Sequence, residues 1–341
     1  MRIAIVTDAW EPQVNGVVRT LQAVRSELER QGHHVLVISP ERFYSLPCPT
    51  YPEIRLALAR TAAVGALLEE FRPDAIHLAT EGPVCVAARR WCLRRGFPFT
   101  TAYHTQFPDY VEARSGVPAE WIWRYIQWFH GPSQAILAST PSIRETLVEH
   151  GLTRVRHWGR GVDLANFHPD VEAHPAFAGL PRPIQLYVGR VAIEKNIEAF
   201  LNNAHPGTKV VVGDGPARAS LEAKYPDAHF LGARFGAELA QCYAGADVFV
   251  FPSKTDTFGL VMIEALACGT PVAAYPVTGP VDVLTPETGA MADDLDVAIA
   301  EALTRDRARC AAYGRTFTWE ASARQFLSAL VPFGTSEALA A

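Results

Sequence analysis

The chain has 341 residues, 49% of them hydrophobic and 20% charged, with a formal net charge of −5. That length suits two domains of ordinary size, each able to bury its own core, and the composition excludes a disordered or fibrous chain. The charge is uneven, because residues 1–160 hold 18 Arg and no Lys against 15 acidic groups, whereas residues 161–341 hold 13 basic against 21 acidic groups. A first half rich in arginine is compatible with docking on an anionic lipid surface, and equally with ordinary variation on solvated faces.

Taken in chain order, apolar runs of strand length alternate with amphipathic stretches, the pattern of a parallel α/β architecture. Met1 to Asp8 is short and meets an acid at once, so it reads as a first strand and not as a secretory leader. Strands are predicted near 2–7, 34–39, 75–80, 99–105, 135–140 and 155–158, with helices near 17–31, 61–71, 83–95, 118–130 and 142–150. Asn15-Gly16-Val17 follows the first strand, where a glycine permits close backbone approach to a phosphate; Asp8 and Arg19 are its candidate neighbours. Two segments of this half suggest a surface role. Arg89-Arg90-Trp91-Cys92-Leu93-Arg94-Arg95 is either a lipid contact or a solvated helix end. In Trp121 to Phe129, helical spacing puts Trp121, Tyr125 and Trp128 on one face and turns Trp123 away. That face would suit a lipid headgroup region or core packing, and core packing is the reading taken. His104 sits at the tip of the fourth strand, where a histidine is often only structural.

A proline-rich stretch, Val162 to Pro183, reads as a connection between domains. A second α/β set follows, with strands near 184–188, 208–213, 228–231, 247–252 and 271–275. Arg190 and Lys195 come just after the strand 184–188, and in open α/β sheets ligands bind beyond the carboxyl ends of strands. Asp247 to Ser253 reads as a buried strand ending in a breaker, and Leu260 to Cys268 as a short helix stopped by Gly269-Thr270-Pro271. Between them lie Asp256-Thr257-Phe258-Gly259. A strand, a glycine turn and a helix start point free backbone N–H groups outward, which suits a phosphate. Glu264, about one turn on, is a carboxylate placed to accept both hydroxyls of a ribose. Gly213-Asp214-Gly215 reads as a tight turn. Asp294-Leu295-Asp296 resembles a metal-binding pair of acids but has no apolar strand before it, so it reads as a helix start, and no obligatory metal or cofactor is expected. Thr318 to Leu330 has helical periodicity. The longest uncharged run, Ala265 to Val281, contains three prolines and is not a spanning helix. The six cysteines, at 48, 85, 92, 242, 268 and 310, form no CxxC pair and read as reduced, mostly buried thiols.

Together, Asn15-Gly16-Val17-Val18-Arg19, Tyr103-His104 through Tyr110, Gly161 through Pro169, Gly189-Arg190 with Glu194-Lys195-Asn196, Gly213-Asp214-Gly215-Pro216, and Asp256 through Glu264 resemble glycosyltransferase family 4 over nearly the whole chain. Several motifs in the right order are far more specific than any one of them. The likeness is greatest to glycolipid-forming members, such as sulfoquinovosyl- and glucosyl-diacylglycerol synthases, and to GDP-mannose-dependent mannosyltransferases. The family signature usually has Glu at both ends, so Asp256 departs from it with a side chain about one methylene shorter.

The resemblance implies two facing Rossmann-like domains of the GT-B type. An acceptor domain would span 1–160, rejoined by a C-terminal helix in 318–341, and a donor domain would span 161–317. It implies a retaining, metal-independent hexosyltransferase with a UDP- or GDP-linked sugar as donor. Arg190 and Lys195 would clamp the diphosphate, with Gly16, Asp256, Phe258, Gly259, Leu260 and Glu264 completing the donor site. His104, Tyr103 and Tyr110 would lie on the acceptor side, and His104, Arg190, Lys195 and Asp256 would serve catalysis. The expected acceptor is a membrane lipid, diacylglycerol above all, reached by a cytoplasmic enzyme peripheral on the inner face of the membrane and binding no nucleic acid. The alternatives are a soluble or polysaccharide acceptor, and a non-catalytic nucleotide-sugar-binding regulator.

Overall fold

The structure is a computed structural model that describes residues 1–13, 15–48, 51–104 and 118–333. The chain divides into two compact units, one of Met1–Gly159 with Trp319–Ala341 and one of Arg160–Thr318.

The first unit is built on six parallel strands: β1 (Arg2–Val6), β2 (His34–Ile38), β5 (Ala75–Leu78), β6 (Thr100–Tyr103), β7 (Ile136–Ala138) and β8 (Val155–His157). They lie in the order β2-β1-β5-β6-β7-β8. Alternation along β1 sends Ile3 and Ile5 to one side and Ala4 and Val6 to the other. Helix α1 (Gly16–Arg30) covers the first side through Leu21, Val24 and Leu28, together with Trp158 and with Phe326 of the C-terminal helix. On the second side lie α2 (Thr61–Phe71), α3 (Pro83–Arg95) and α4 (Ala119–His130), contributing Val64, Leu68, Val84, Cys85 and Phe129. Helix α5 (Pro141–Glu149) adds Ile143 and Leu147 to a smaller cluster with Ile126. A hairpin that the sequence reading passed over, β3 (Ser45–Cys48) with β4 (Tyr51–Ala57), pairs Leu46 with Leu56 and leaves both exposed.

The second unit repeats the plan. Its strands β9 (Ile184–Val188), β10 (Thr208–Val212), β11 (His229–Gly232), β12 (Val248–Phe251), β13 (Val272–Ala274) and β14 (Gly289–Met291) lie in the order β11-β10-β9-β12-β13-β14. Strand β14 also lay outside the sequence reading; it is three residues long and pairs with β13 at the edge of the sheet. Helices α6 (Ile197–Asn202), α7 (Arg218–Lys224) and α11 (Leu295–Ala302) pack one face around Tyr187, Val211 and Val250. Helices α8 (Gly236–Gly245), α9 (Leu260–Ala267) and α12 (Arg307–Gly314) pack the other around Leu186, Val210 and Phe249. The short helix α10 (Pro280–Val283) follows β13.

The last helix, α13 (Trp319–Ala329), belongs to the first unit and packs on α1. Its Gln325 Oε1 accepts the Gly159 N–H at 2.7 Å and its Ser322 hydroxyl donates to the Gly159 carbonyl at 2.8 Å. Five cysteines, 85, 92, 242, 268 and 310, are free and buried. No helix among the described residues is long and apolar enough to cross a membrane.

Candidate functional site

In the second unit, β9 runs between β10 on one flank and β12 on the other, so the chain changes direction across the sheet between β9 and β12. At such a switch point the loops beyond the strand ends part and leave a crevice. The loop after β9 carries Lys195 and the loop after β12 carries Asp256. Lys195 Nζ donates to both carboxylate oxygens of Asp256, at 2.6 and 2.9 Å, and each side chain keeps about a quarter of its surface open. The sequence reading had paired Lys195 with Arg190 and Asp256 with Glu264; it did not foresee this ion pair.

Two residues that the sequence reading left unassigned hold these loops. Asn196 takes a left-handed conformation (φ 53°) and its amide donates to the Pro252 carbonyl at 3.1 Å, tying the two loops together. Tyr187, buried in β9, donates its hydroxyl to the Arg190 carbonyl at 2.9 Å. Burial, then the nearby charges of Asp256 and Glu194, push the Tyr187 phenol well above its ordinary pKa, so it stays a donor. The role of Asn196 is recognisable only once β9 and β12 are known to be neighbours.

Gly259 is the left-handed residue (φ 80°) that starts α9, and a Cβ there would meet Met262 and the Phe251 ring. Phe258 is buried and set edge-on to Phe317, while Leu260 stays partly open. Glu264 is only 3% exposed and accepts the Tyr243 hydroxyl at 3.2 Å. A carboxylate thus occupies the interior face of α9, and one of its oxygens is engaged by Tyr243.

In the first unit the corresponding switch point lies between β1 and β5. Gly16 opens α1 there, with Asn15 as N-cap accepting from the Val17 and Val18 N–H groups at 3.0 Å each. Those two donors are engaged by Asn15, so the glycine turn offers fewer free N–H groups than the sequence suggests. Asp8 is a structural anchor. It accepts from the Val84 N–H at 2.7 Å, the Cys85 N–H at 3.3 Å and the Thr80 hydroxyl at 3.0 Å, capping α3 from outside. Desolvation nonetheless raises its pKa above the ordinary carboxylate value.

His104, directly after β6, is half-buried and packs edge-on against Trp158 with ring centroids 5.4 Å apart. Tyr103 needs a correction. It is 1% exposed, stacked toward Trp123 and edge-on to His130, because alternation along β6 sends it into the helix layer; it is core, not acceptor surface. Tyr110 lies outside the described residues.

The remaining motifs prove structural. Asp294 caps α11 by accepting the Asp296 N–H, and Asp296 accepts the Ala204 and His205 N–H groups at 3.1 Å each. Gly213 and Gly215 are turn residues pressed against the backbone of Gly189 and Val191. Trp121, Tyr125 and Trp128 do not enter the core: they are 67%, 39% and 42% exposed, while Ile126 and Phe129 of the same helix are buried. Trp123, on the diverging side, stacks on His150 at 3.6 Å.

Comparison with known proteins bears directly on this architecture. A model described as Glycosyltransferase Family 4 matches residues 14–166, and one described as Glycosyl transferases group 1 matches residues 182–305. The GDP-mannose-dependent alpha-mannosyltransferase of Mycobacterium tuberculosis is 34% identical over 310 residues, spanning 84% of this chain and 82% of that one. The sulfoquinovosyl transferase of Arabidopsis thaliana is 30% identical over 301 residues, 80% of this chain and 58% of its own. An alpha-monoglucosyldiacylglycerol synthase of Streptococcus pneumoniae is 27% identical over 314 residues, covering 81% and 71%. Among solved structures, sucrose-phosphate synthase from Thermosynechococcus elongatus superposes with a TM-score of 0.78 at 23% identity, over 96% of this chain and 97% of that one. That likeness speaks for the fold, two Rossmann-like domains of the GT-B type. The chain belongs to glycosyltransferase family 4 and is a hexosyltransferase that uses a nucleotide sugar.

Proposed function

We propose that this enzyme moves a hexose-type sugar from a UDP- or GDP-linked donor to a membrane lipid, diacylglycerol first among candidates, with retention at the anomeric carbon. The observation that carries the donor half is the Lys195–Asp256 pair at the β9–β12 switch point. On this reading the unit 160–318 takes the donor and the unit 1–159 the acceptor. Lys195 and Arg190 meet the diphosphate, the start of α9 offers N–H groups to it, Asp256 meets the sugar and Glu264 the ribose. His104 orients the sugar or the acceptor hydroxyl.

The acceptor oxygen attacks the anomeric carbon on the face the nucleotide leaves. The bond to the diphosphate oxygen breaks, and that oxygen takes the acceptor's proton. The protein contributes position and positive charge, worth several orders of magnitude in such reactions, and no protein nucleophile. Because Arg190 and Lys195 supply the charge, turnover is expected to persist in EDTA.

The lipid half rests on a relative whose name specifies a glycolipid, the alpha-monoglucosyldiacylglycerol synthase. The mannosyltransferase relatives fit a GDP donor and the sucrose-phosphate synthase fold suits a soluble acceptor equally well. One mass-spectrometric assay tests the whole reading. Purified enzyme meets diacylglycerol in anionic liposomes with pooled UDP-glucose, UDP-galactose, UDP-glucuronate and GDP-mannose. A new glycolipid mass supports the reading and its increment narrows the sugar. Donor hydrolysis without glycolipid moves the acceptor to the soluble class, and no consumption of any donor overturns the donor set.

A further inference from the structure

Helix α4 turns an amphipathic face outward, exposed among the described residues. Trp121, Tyr125 and Trp128 recur at helical spacing along it, with Arg124 exposed between them. The helix is fixed from behind. Arg89 of α3, itself buried, donates through Nε to the Phe129 carbonyl at 3.0 Å and through a second nitrogen to the Trp128 carbonyl. Its guanidinium lies over the Trp128 ring, 4.0 Å from the centroid. Tyr125 donates its hydroxyl to the Glu81 carbonyl, and His130 faces the Glu81 carboxylate at 3.2 Å. Beside Trp128, α3 continues outward with exposed Arg90, Leu93 and Arg94.

The chemistry of this face is specific. Arg90, Arg94 and Arg124 are exposed and make no ion pair with any described residue, while Arg95 is satisfied by Glu69 at 2.7 Å. Glu120 is the one acidic side chain that α4 exposes. Tryptophan and tyrosine with an apolar body and a polar edge, interleaved with unpaired arginines, match the boundary between acyl chains and anionic headgroups. A protein partner would be expected to need acids complementary to these arginines and a pocket for Trp121; an anionic bilayer supplies both the charge and the depth without further design.

We infer that the outer face of α3 and α4, centred on Trp121, Tyr125, Trp128, Arg90, Arg94 and Arg124, is the surface by which this enzyme docks on an anionic membrane. The inference builds on the lipid-acceptor reading and can fail separately from it. Each arginine is worth about five-fold in partition onto an anionic surface, so Arg90→Glu/Arg94→Glu/Arg124→Glu lowers binding by about a hundred-fold or more. Trp121→Ala removes the most exposed anchor without touching the Arg89 clamp.

The experiment is sedimentation of the full chain with vesicles of phosphatidylglycerol and phosphatidylcholine, and of phosphatidylcholine alone, at low and high salt. Transfer to detergent-dispersed diacylglycerol is measured in parallel. The expected result is binding to the anionic vesicles, released by salt and lost in both variants, which still turn over donor with the dispersed acceptor. Undiminished binding of both variants overturns the inference. So does a wild-type chain that ignores vesicles while glycosylating dispersed lipid, which leaves the lipid-acceptor reading standing. Vesicle binding through this face by an enzyme that glycosylates only soluble acceptors has the opposite meaning: the docking surface stands and the acceptor reading falls. A self-association abolished by Trp121→Ala in a chain that binds no vesicle assigns the face to a second copy and overturns the inference.

Discussion

At the scale of residues, the Lys195–Asp256 pair joins the two charges that the proposed chemistry needs at one point, and its short bidentate geometry makes both sensitive to substitution. Lys195→Ala is expected to lower kcat by about a hundred-fold or more, as removal of a positioned charge-stabilising group does elsewhere. Asp256→Glu restores the length usual in the family signature. Because the carboxylate must then shift against Nζ, the expected change is in the ratio of kcat/KM between two donor sugars, by about ten-fold or more; steady-state kinetics with paired donors checks both variants. His77 supports a different prediction. It is fully buried beside Trp158 and Phe326, with Nδ1 2.8 Å from the Thr100 hydroxyl, and burial, with a smaller contribution from His130, pushes its pKa down to about 3 from an ordinary 6.5. As pH falls below 6.5 the unfolded chain takes up a proton that the folded chain refuses. Stability present above pH 6.5 is therefore lost progressively toward pH 3, at up to about 1.4 kcal/mol per pH unit. His77→Gln is expected to flatten the fall of the unfolding midpoint in that window by one proton's worth, measured as thermal unfolding against pH.

At the scale of elements, the loops after β9 and β10 meet backbone to backbone and leave no room for an added atom. A Cβ on Gly213 (φ 145°) would stand 1.8 Å from the Gly189 carbonyl oxygen, whereas one on Gly151 (φ 78°) would meet nothing within 4 Å. Gly213→Ala is expected to cost about 3 kcal/mol or more, because backbone must move; Gly151→Ala is expected to cost about 1–2 kcal/mol for the left-handed conformation alone. Chemical denaturation of the two variants tests the contrast. The elements also show what local sequence carries. Strand β9 and helices α2 and α3 fall where periodicity puts them, because their apolar spacing and the breakers at their ends are local. The hairpin β3–β4 escaped, since Pro47, Pro49 and Pro52 interrupt any strand pattern there and Leu46 and Leu56 face outward. Tyr103 was misplaced for a related reason: a motif names a loop, but alternation along β6 decides which residue of it turns inward.

At the scale of the whole molecule, the chain closes the first unit with its own end. Ala323 and Phe326 of α13 are fully buried against α1, Trp158 and His77. A chain ending at Thr318 is expected to uncover Leu21, Val24 and Trp158, bind a hydrophobic dye and lose the cooperative unfolding of the first unit, which calorimetry beside the full chain would show. The sequence by itself determined the alternating architecture, the family and the loops that carry Lys195, Asp256 and Gly259, since each follows from residues near one another in the chain. Only the tertiary structure decided that β9 and β12 are neighbours, so that Lys195 and Asp256 meet, that Asp8 caps a helix 75 positions away, and that the aromatic face of α4 lies open. The reason is physical: periodicity tells which residues of an element share a face, but only the packing of distant elements decides which faces are covered.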